Sequence, residues 1–215
     1  MTYEEVKIQL DLNEPIDILK SIGRQTKDND WFIVCDEGDC HLFNNDGNEI
    51  DVKKIKSLDE GLIPGNIEKI IIPDSIKYIR DWVFYNCINL TSINIPDSVE
   101  SIGYWAFYKC EKLKSIRIPD SVESIESSAF YSCINLISIT IPDSVKSIGA
   151  YAFARCESLT SINIPESIEY VRQNVFYNCK NLKSLTFKEK TIDQVKSMEY
   201  YPFGLEDESI IKCIN

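Results

Sequence analysis

The sequence predicts a solenoid of stacked short units with a parallel β-sheet along one side. Three observations predict it. The dipeptide Ile-Pro returns at Ile72-Pro73, Ile95-Pro96, Ile118-Pro119, Ile141-Pro142 and Ile164-Pro165, always 23 residues on. Phe84, Phe107, Phe130, Phe153 and Phe176 keep the same step, as do Cys87, Cys110, Cys133, Cys156 and Cys179, and Leu90, Leu113, Leu136, Leu159 and Leu182. A 23-residue unit is also too short to enclose its own apolar side chains, so these columns become a core only when each unit lies on the next. Five full units cover residues 72–186, and a shortened one precedes them, in which Ile67, Ile70 and Ile72 hold the places of Leu90, Ile93 and Ile95.

Residues 1–62 read as a small α+β unit leading into the array. Thr2 and Glu5 have capping-box spacing ahead of Val6 and Leu10, which supports a short first helix. "EPIDILKSIG" supports a second, with Gly23 as its stop. "DWFIVC", "CHLFN" and "EIDV" then alternate around "DEGD" and "NDGN", a three-strand meander signal with Asp46-Gly47 as its strongest turn. The unit is either a cap that covers the open end of the solenoid or a separate docking domain.

Each repeat, over residues 63–187, has the pattern L-x-x-I-x-I-P-D-S-V-x-x-I-x-x-x-A-F-x-x-C. L-x-x-I-x-I is short and β-branched, which suits a strand. The copies must be parallel, since each unit returns to the same start. Pro removes a backbone donor and holds the Ile before it extended, so every strand stops at the same place. Asp-Ser follows as a turn. V-x-x-I reads as a second short extended run, and A-F-x-x-C is long enough for one helical turn. At the far end "LTFKEK" replaces "ITIPDS", Thr191 can cap a helix over "IDQVKSM", and "SIIKC" can add a last extended segment. Residues 188–215 therefore read as a closing cap.

These units resemble the BspA-like class of leucine-rich repeats, whose consensus is close to "IPDSVTSIGxxAFxxCxxLTSIxIP". The resemblance implies a leucine-rich-repeat solenoid with its parallel sheet on the concave side, and short helical turns and extended segments elsewhere. It also implies a non-catalytic recognition role, often in cell-surface adhesins. The closing segment looks like the cap of many such arrays, including some from phage genomes.

Composition adds limits. The net charge of −11 argues against nucleic acid or an anionic membrane as partner. Residues 1–60 hold 15 acidic and 7 basic residues, so most of the excess lies there. No run is long and apolar enough to span a bilayer. "MTYEEVKIQLDLNEP" has neither the basic start nor the apolar centre of a signal peptide. The expected address is cytoplasmic or virion-associated, with a cell surface reached only by another export route.

Catalytic vocabulary is sparse: His41 is the one histidine, and no phosphate loop, GxSxG or HExxH is present. Cys35, Cys40 and His41 offer three ligands on one hairpin and no obvious fourth, so no metal or cofactor is expected. Parallel strands lie about 4.8 Å apart, wider than the roughly 3.8 Å a disulfide prefers between Cβ atoms, so the five-cysteine column is read as buried thiols.

Two sets of columns are candidates for binding. On the strands Leu113, Ile116 and Ile118 point inward, so Ser92, Ser115, Ser138 and Ser161, with Asn94, Arg117, Thr140 and Asn163, point out. This ladder is either an approach surface or simply what a crowded face tolerates. Trp82, Trp105 and Tyr151 share one column, interrupted by Ser128 and Asn174; Tyr85, Tyr108, Tyr131 and Tyr177 share another, interrupted by Ala154. These rings either seal the joints between units or form a recognition stripe, since Trp and Tyr are enriched in interface hot spots. The function expected from all of this is a non-enzymatic scaffold for protein–protein interaction. The alternative is a carbohydrate- or host-surface-binding adhesin, for example a phage virion component.

Overall fold

The computed structural model describes residues 32–36, 39–43, 57–58, 69–72, 74 and 76–214. Strands β1 (Phe32–Asp36) and β2 (Asp39–Phe43) pair antiparallel, with Cys35 opposite Cys40 and Val34 opposite His41. The two helices expected before residue 24 and the third meander strand over 49–52 lie outside the described residues.

From there the chain winds as a solenoid with three rows of inter-unit contact. The first row holds β4 (Lys69–Ile71), β6 (Ser92–Asn94), β8 (Ser115–Arg117), β10 (Ser138–Thr140), β12 (Ser161–Ile164) and β14 (Ser184–Lys188). Pairing is parallel between β4 and β6, β8 and β10, and β12 and β14. The register is one whole unit: Ile70 lies beside Ile93, Ser115 beside Ser138, Ile162 beside Leu185. A one-residue slip would carry the buried Ile column to the solvent face, so the hydrophobic pattern holds this register.

The second row is the V-x-x-I run. Two-residue strands β3 (Ser57–Leu58), β5 (Tyr78–Ile79), β7 (Ser101–Ile102), β9 (Ser124–Ile125), β11 (Ser147–Ile148) and β13 (Tyr170–Val171) form one six-stranded parallel sheet.

The third row differs from expectation. A-F-x-x-C is a run of tight turns, not a helical turn. Phe84, Phe107, Phe130 and Phe153 donate their N–H groups to the carbonyls of Ala106, Ala129, Ala152 and Val175 in the next unit (2.8–3.0 Å). The residues two before and two after each Phe do the same, as Trp82 to Tyr104 (3.0 Å) and Asn86 to Tyr108 (2.7 Å) show. Those flanking residues are left-handed: φ is 63° and 59° at Trp82 and Asn86, 53° and 57° at Trp105 and Lys109, and 58° and 59° at Tyr151 and Arg155. Left-handed backbone costs a non-glycine residue about 1–2 kcal/mol. It turns the N–H groups along the solenoid axis, where each gains a partner.

Side chains reinforce the backbone ladders. In the turns after the prolines, serines donate to the unit before: Ser98 Oγ to Ile76 O, Ser144 Oγ to Val122 O and Ser167 Oγ to Val145 O, each 2.7 Å, and Ser121 Oγ to Val99 O. The cysteines do likewise. Cys110, Cys133, Cys156 and Cys179 donate Sγ–H to the carbonyls of Phe84, Phe107, Phe130 and Phe153 at 3.1–3.3 Å. Between these layers the Phe column is stacked and buried, with ring centroids 4.9, 5.2, 5.5 and 6.0 Å apart from Phe84 to Phe176.

Past the last full unit the chain forms a short helix and one more strand. Helix α1 (Ile192–Lys196) starts on Thr191, which forms a reciprocal capping box with Gln194 and seats Val195 in the core. Phe203 accepts the N–H of Phe176 (3.0 Å), the bond a sixth unit would have made, and its ring lies 5.8 Å from Phe187. Gly204 is left-handed (φ 86°), and a Cβ there would come within 2.8 Å of Asn174 Cα. Strand β15 (Ile211–Ile214) then joins β14 in parallel as the last strand of the first row.

Candidate functional site

The sheet face is built by alternation. In β8 and β10 the middle Ile points inward, with Ile116 4% and Ile139 7% exposed, and its neighbours point out. Ser92, Ser115, Ser138 and Ser161 are all exposed, and so are Asn94, Arg117, Thr140 and Asn163. Both columns continue in register toward the cap and are covered there, at the half-buried Ser184 and the buried Thr186. The structure thus exposes eight of the predicted site residues along the first row of strands.

Its electrostatics were not read from the sequence. Just past each proline stands one exposed carboxylate: Asp74, Asp97, Asp120, Asp143 and Glu166. They follow the face unit by unit as an acidic rim. Arg117 is drawn to this rim. Its guanidinium meets Asp97 at 2.7 Å and Asp120 at 3.8 Å, and the Asp97 carboxylate raises its pKa. Lys188 reaches Asp143 at 3.8 Å. These pairs are open to solvent and contribute little to stability, but they leave the face without a free cation at Arg117.

The aromatic columns lie on the outer turns. Trp82 stacks on Trp105 at 4.4 Å, Tyr85 on Tyr108 at 5.0 Å, and Tyr108 on Tyr131 at 5.1 Å. Trp82 also meets Tyr85 edge-on at 5.1 Å. Both faces of Tyr108 are therefore covered by other tyrosines. Tyr85 is 43% exposed, whereas Trp82, Trp105, Tyr108, Tyr131 and Tyr151 are half-buried. Beyond Tyr131 and Trp105 the stacks stop, because Ala154 and Ser128 follow. Tyr151 stands apart from them, its hydroxyl accepting from Asn174 Nδ2 at 2.8 Å.

The buried cysteines are poor nucleophiles. Burial pushes the thiols of Cys87, Cys133 and Cys179 up to about 12, and those of Cys110 and Cys156 well above 9.0. None of them is in a disulfide, nor is Cys213. They remain protonated, which keeps the S–H donor that each inter-unit bond requires. No group of three or more His, Cys, Asp or Glu among the described residues could hold a metal ion. The side chains of Cys35, Cys40 and His41 lie outside the described residues. No described helix is long and apolar enough to cross a membrane.

A cavity of about 250 Å³ separates the last unit from the cap, lined on one side by Phe176, Cys179 and Leu182 and on the other by Leu205 and Ile210. Here the core columns are least covered: Cys179 is 9% and Leu182 8% exposed, where the other cysteines and leucines of these columns are 0%.

Stacked parallel strands, an internal Phe-Cys-Leu core and a polar sheet face define a leucine-rich repeat solenoid. Residues 64–183 and 123–207 match the BspA type leucine-rich repeat region in 6 copies, and the chain belongs to that family. No curated protein matches it. Among solved structures it is similar to the leucine-rich repeat protein of T. pallidum, at 24% identity and a TM-score of 0.57 over 76% of this chain and 71% of that one. It is also similar to a leucine-rich cell surface protein of Faecalibacterium prausnitzii, at 30% identity and a TM-score of 0.61 over 74% of this chain. A third is the pneumococcal vaccine antigen PcpA, at 23% identity and a TM-score of 0.63 over 88% of this chain. The chain spans only 40% and 43% of these last two proteins.

Proposed function

We propose that this protein is a non-enzymatic scaffold that holds a protein partner against the exposed face of its first row of strands. The observation that carries the reading is the shared exposure of Ser92, Ser115, Ser138 and Ser161 along the first row, with Ser115 in register beside Ser138, next to an acidic rim. Small hydroxyl side chains let another backbone approach and offer donors and acceptors, while the ladders beneath hold them still. Preorganisation of this kind lowers the ordering cost on binding. Carboxylates repeating at the strand spacing of about 4.8 Å repel one another. A partner that brings lysines and arginines relieves that repulsion and gains its own orientation from it.

The test places a photo-crosslinking amino acid at Ser138 and, as a control, at Tyr170 on the second row. The expected result is a protein adduct at Ser138 only, lost as salt rises and lost when Asp120→Asn and Asp143→Asn are combined. A partner that still binds the Ser115→Arg, Ser138→Arg double variant at full affinity would refute this face.

A further inference from the structure

In the outer row of turns the third unit differs from its neighbours. Its two left-handed positions hold Ser128 and Ser132, at φ 57° and 58°. The unit before holds Trp105 and Lys109 there, and the unit after holds Tyr151 and Arg155. Backbone bonds fix the juxtaposition. Trp105 N–H donates to Ser127 O (3.2 Å) and Lys109 N–H to Tyr131 O (2.8 Å); Ser128 N–H donates to Ala150 O (2.9 Å) and Ser132 N–H to Ala154 O (2.9 Å). Each serine is therefore one unit away from a large residue on either side, and the outer ridge dips at this turn.

The dip is floored by unpaired polar groups. Ser128 is 8% and Ser132 5% exposed, and neither hydroxyl has a hydrogen-bond partner among the described residues. A buried hydroxyl left unpaired costs about 1–3 kcal/mol. Alanine at either place would avoid that cost, and the turn uses it at Ala129, between them. The half-buried turn serines Ser98, Ser121, Ser144 and Ser167 are satisfied, since each bonds the preceding unit. Two orphan hydroxyls four residues apart are thus a property of this one turn and call for an explanation.

The surroundings indicate the occupant. Trp105 is covered by Trp82 on one side at 4.4 Å and faces the serine unit on the other. Trp105, Tyr131 and Tyr151 are half-buried around the dip, so they stand as apolar walls. Lys109 and Arg155 flank Ser132; Arg155 is exposed and has no ion pair among the described residues, and Lys109 Nζ lies 5.6 Å from the centre of the Tyr108 ring. Two cations beside two hydroxyls stand out in a chain of net charge −11.

We propose that this dip binds a sugar ring that carries a carboxylate, the uronic acid unit of an acidic glycan. The apolar C–H face of the pyranose lies against Trp105 or Tyr151, where an aromatic face favours it. Its hydroxyls complete the bonds of Ser128 and Ser132. Its carboxylate sits between Lys109 and Arg155, which supply charge-assisted hydrogen bonds. A protein side chain satisfies the walls or the cations but not both together with two hydroxyls on the floor. The proposal goes beyond the docking reading and is independent of it, since it uses other residues on another row.

The test measures binding of methyl glucuronide and methyl glucoside to the full chain by ligand-observed NMR and calorimetry. The expected result is saturable binding of the glucuronide, with the glucoside at least about tenfold weaker, the loss of one charged hydrogen bond. Ser128→Tyr copies the residue and backbone conformation of Tyr151, fills the dip and abolishes glucuronide binding with no loss of Tm. Ser132→Ala keeps the fold, raises Tm by removing an orphan hydroxyl, and weakens the glucuronide; Arg155→Gln weakens it without moving Tm. No saturable glucuronide binding, equal binding of the two sugars, or unchanged binding in Ser132→Ala and Arg155→Gln would overturn the proposal. Pull-down of a protein through the sheet face would leave these outcomes unaltered, so the two readings fail separately.

Discussion

Replacing Phe130 by alanine tests the stacked core where it is most continuous. The ring is fully buried and lies 5.2 Å from Phe107 and 5.5 Å from Phe153, nearly parallel to both. Removing a buried Phe costs about 3–5 kcal/mol. Part of that is the loss of two aromatic pairs, each about 0.5–1.5 kcal/mol beyond its buried area. Phe176 has only one such pair, with Phe153 at 6.0 Å, so Phe176→Ala should cost about one pair less. A larger difference concerns cooperativity. Stability in a solenoid is close to a sum of units and interfaces, so a weak third unit separates the two halves. All three tryptophans, Trp31, Trp82 and Trp105, lie before it in the chain and report on that side by fluorescence, while circular dichroism reports on all. In urea the wild type should unfold with the two signals coincident. In Phe130→Ala they should part, and in Phe176→Ala the fluorescence midpoint should hardly move. A Phe130→Ala protein with coincident transitions and a loss below about 1 kcal/mol would refute the nearest-neighbour reasoning.

Other consequences follow from the same geometry. Folding raises the thiols of Cys87, Cys133 and Cys179 from 9.0 to about 12, so above pH 9 the unfolded chain releases protons that the folded chain keeps. Their contribution is full below pH 9 and is lost as pH rises toward 12; urea midpoints across that window should fall, and Cys133→Ala should remove about 1.4 kcal/mol per pH unit from the slope. Alkylation at neutral pH should modify Cys213 before the five column cysteines, which should react only on unfolding. Thr191→Ala removes the capping box of α1 and should cost about 1 kcal/mol, read as an earlier fluorescence-independent phase at the C-terminal end. Gly204→Ala places a Cβ 2.8 Å from Asn174 Cα on a left-handed residue and should cost more than the capping change, with the loss again confined to the cap. By contrast Glu100→Gln breaks only the exposed pair with Lys77 at 2.5 Å and should leave the urea midpoint unchanged.

How far the sequence revealed this protein depends on which residue carries the signal. The Phe, Leu and Ile columns were legible because their chemistry is the fact that matters: an invariant apolar side chain at a fixed step has to be inside. Helix α1 was legible for a related reason, since a Thr191 cap is a local signal. The left-handed turns were not. Trp82, Lys109 and Arg155 have no local preference for positive φ; the ladder to the next unit imposes it, and a ladder is not visible in one unit. The cysteines and the Asp-Ser serines were read as a small apolar filler and a turn former, which they are. Their bonds to the preceding unit needed coordinates, because the acceptors are backbone carbonyls that any sequence supplies. Of the candidate site, the outward Ser ladder was predicted from alternation alone. The burial of Ser128 and Ser132 was hidden, since an interruption in a column says that something is smaller there but not whether its hydroxyl finds a partner.

The measurement that bears most directly on the in-register stack is the distance between spin labels attached to ketone-bearing residues at Ser92, Ser161 and Ser184, which leaves the native thiols untouched. Ser161 is three units from Ser92 and Ser184 is four, so the second separation should exceed the first by one strand spacing, about 4.8 Å, with narrow distributions in both pairs. Equal separations, or broad ones that do not lengthen with each added unit, would mean that the repeats do not lie in register and that the ruled face does not exist.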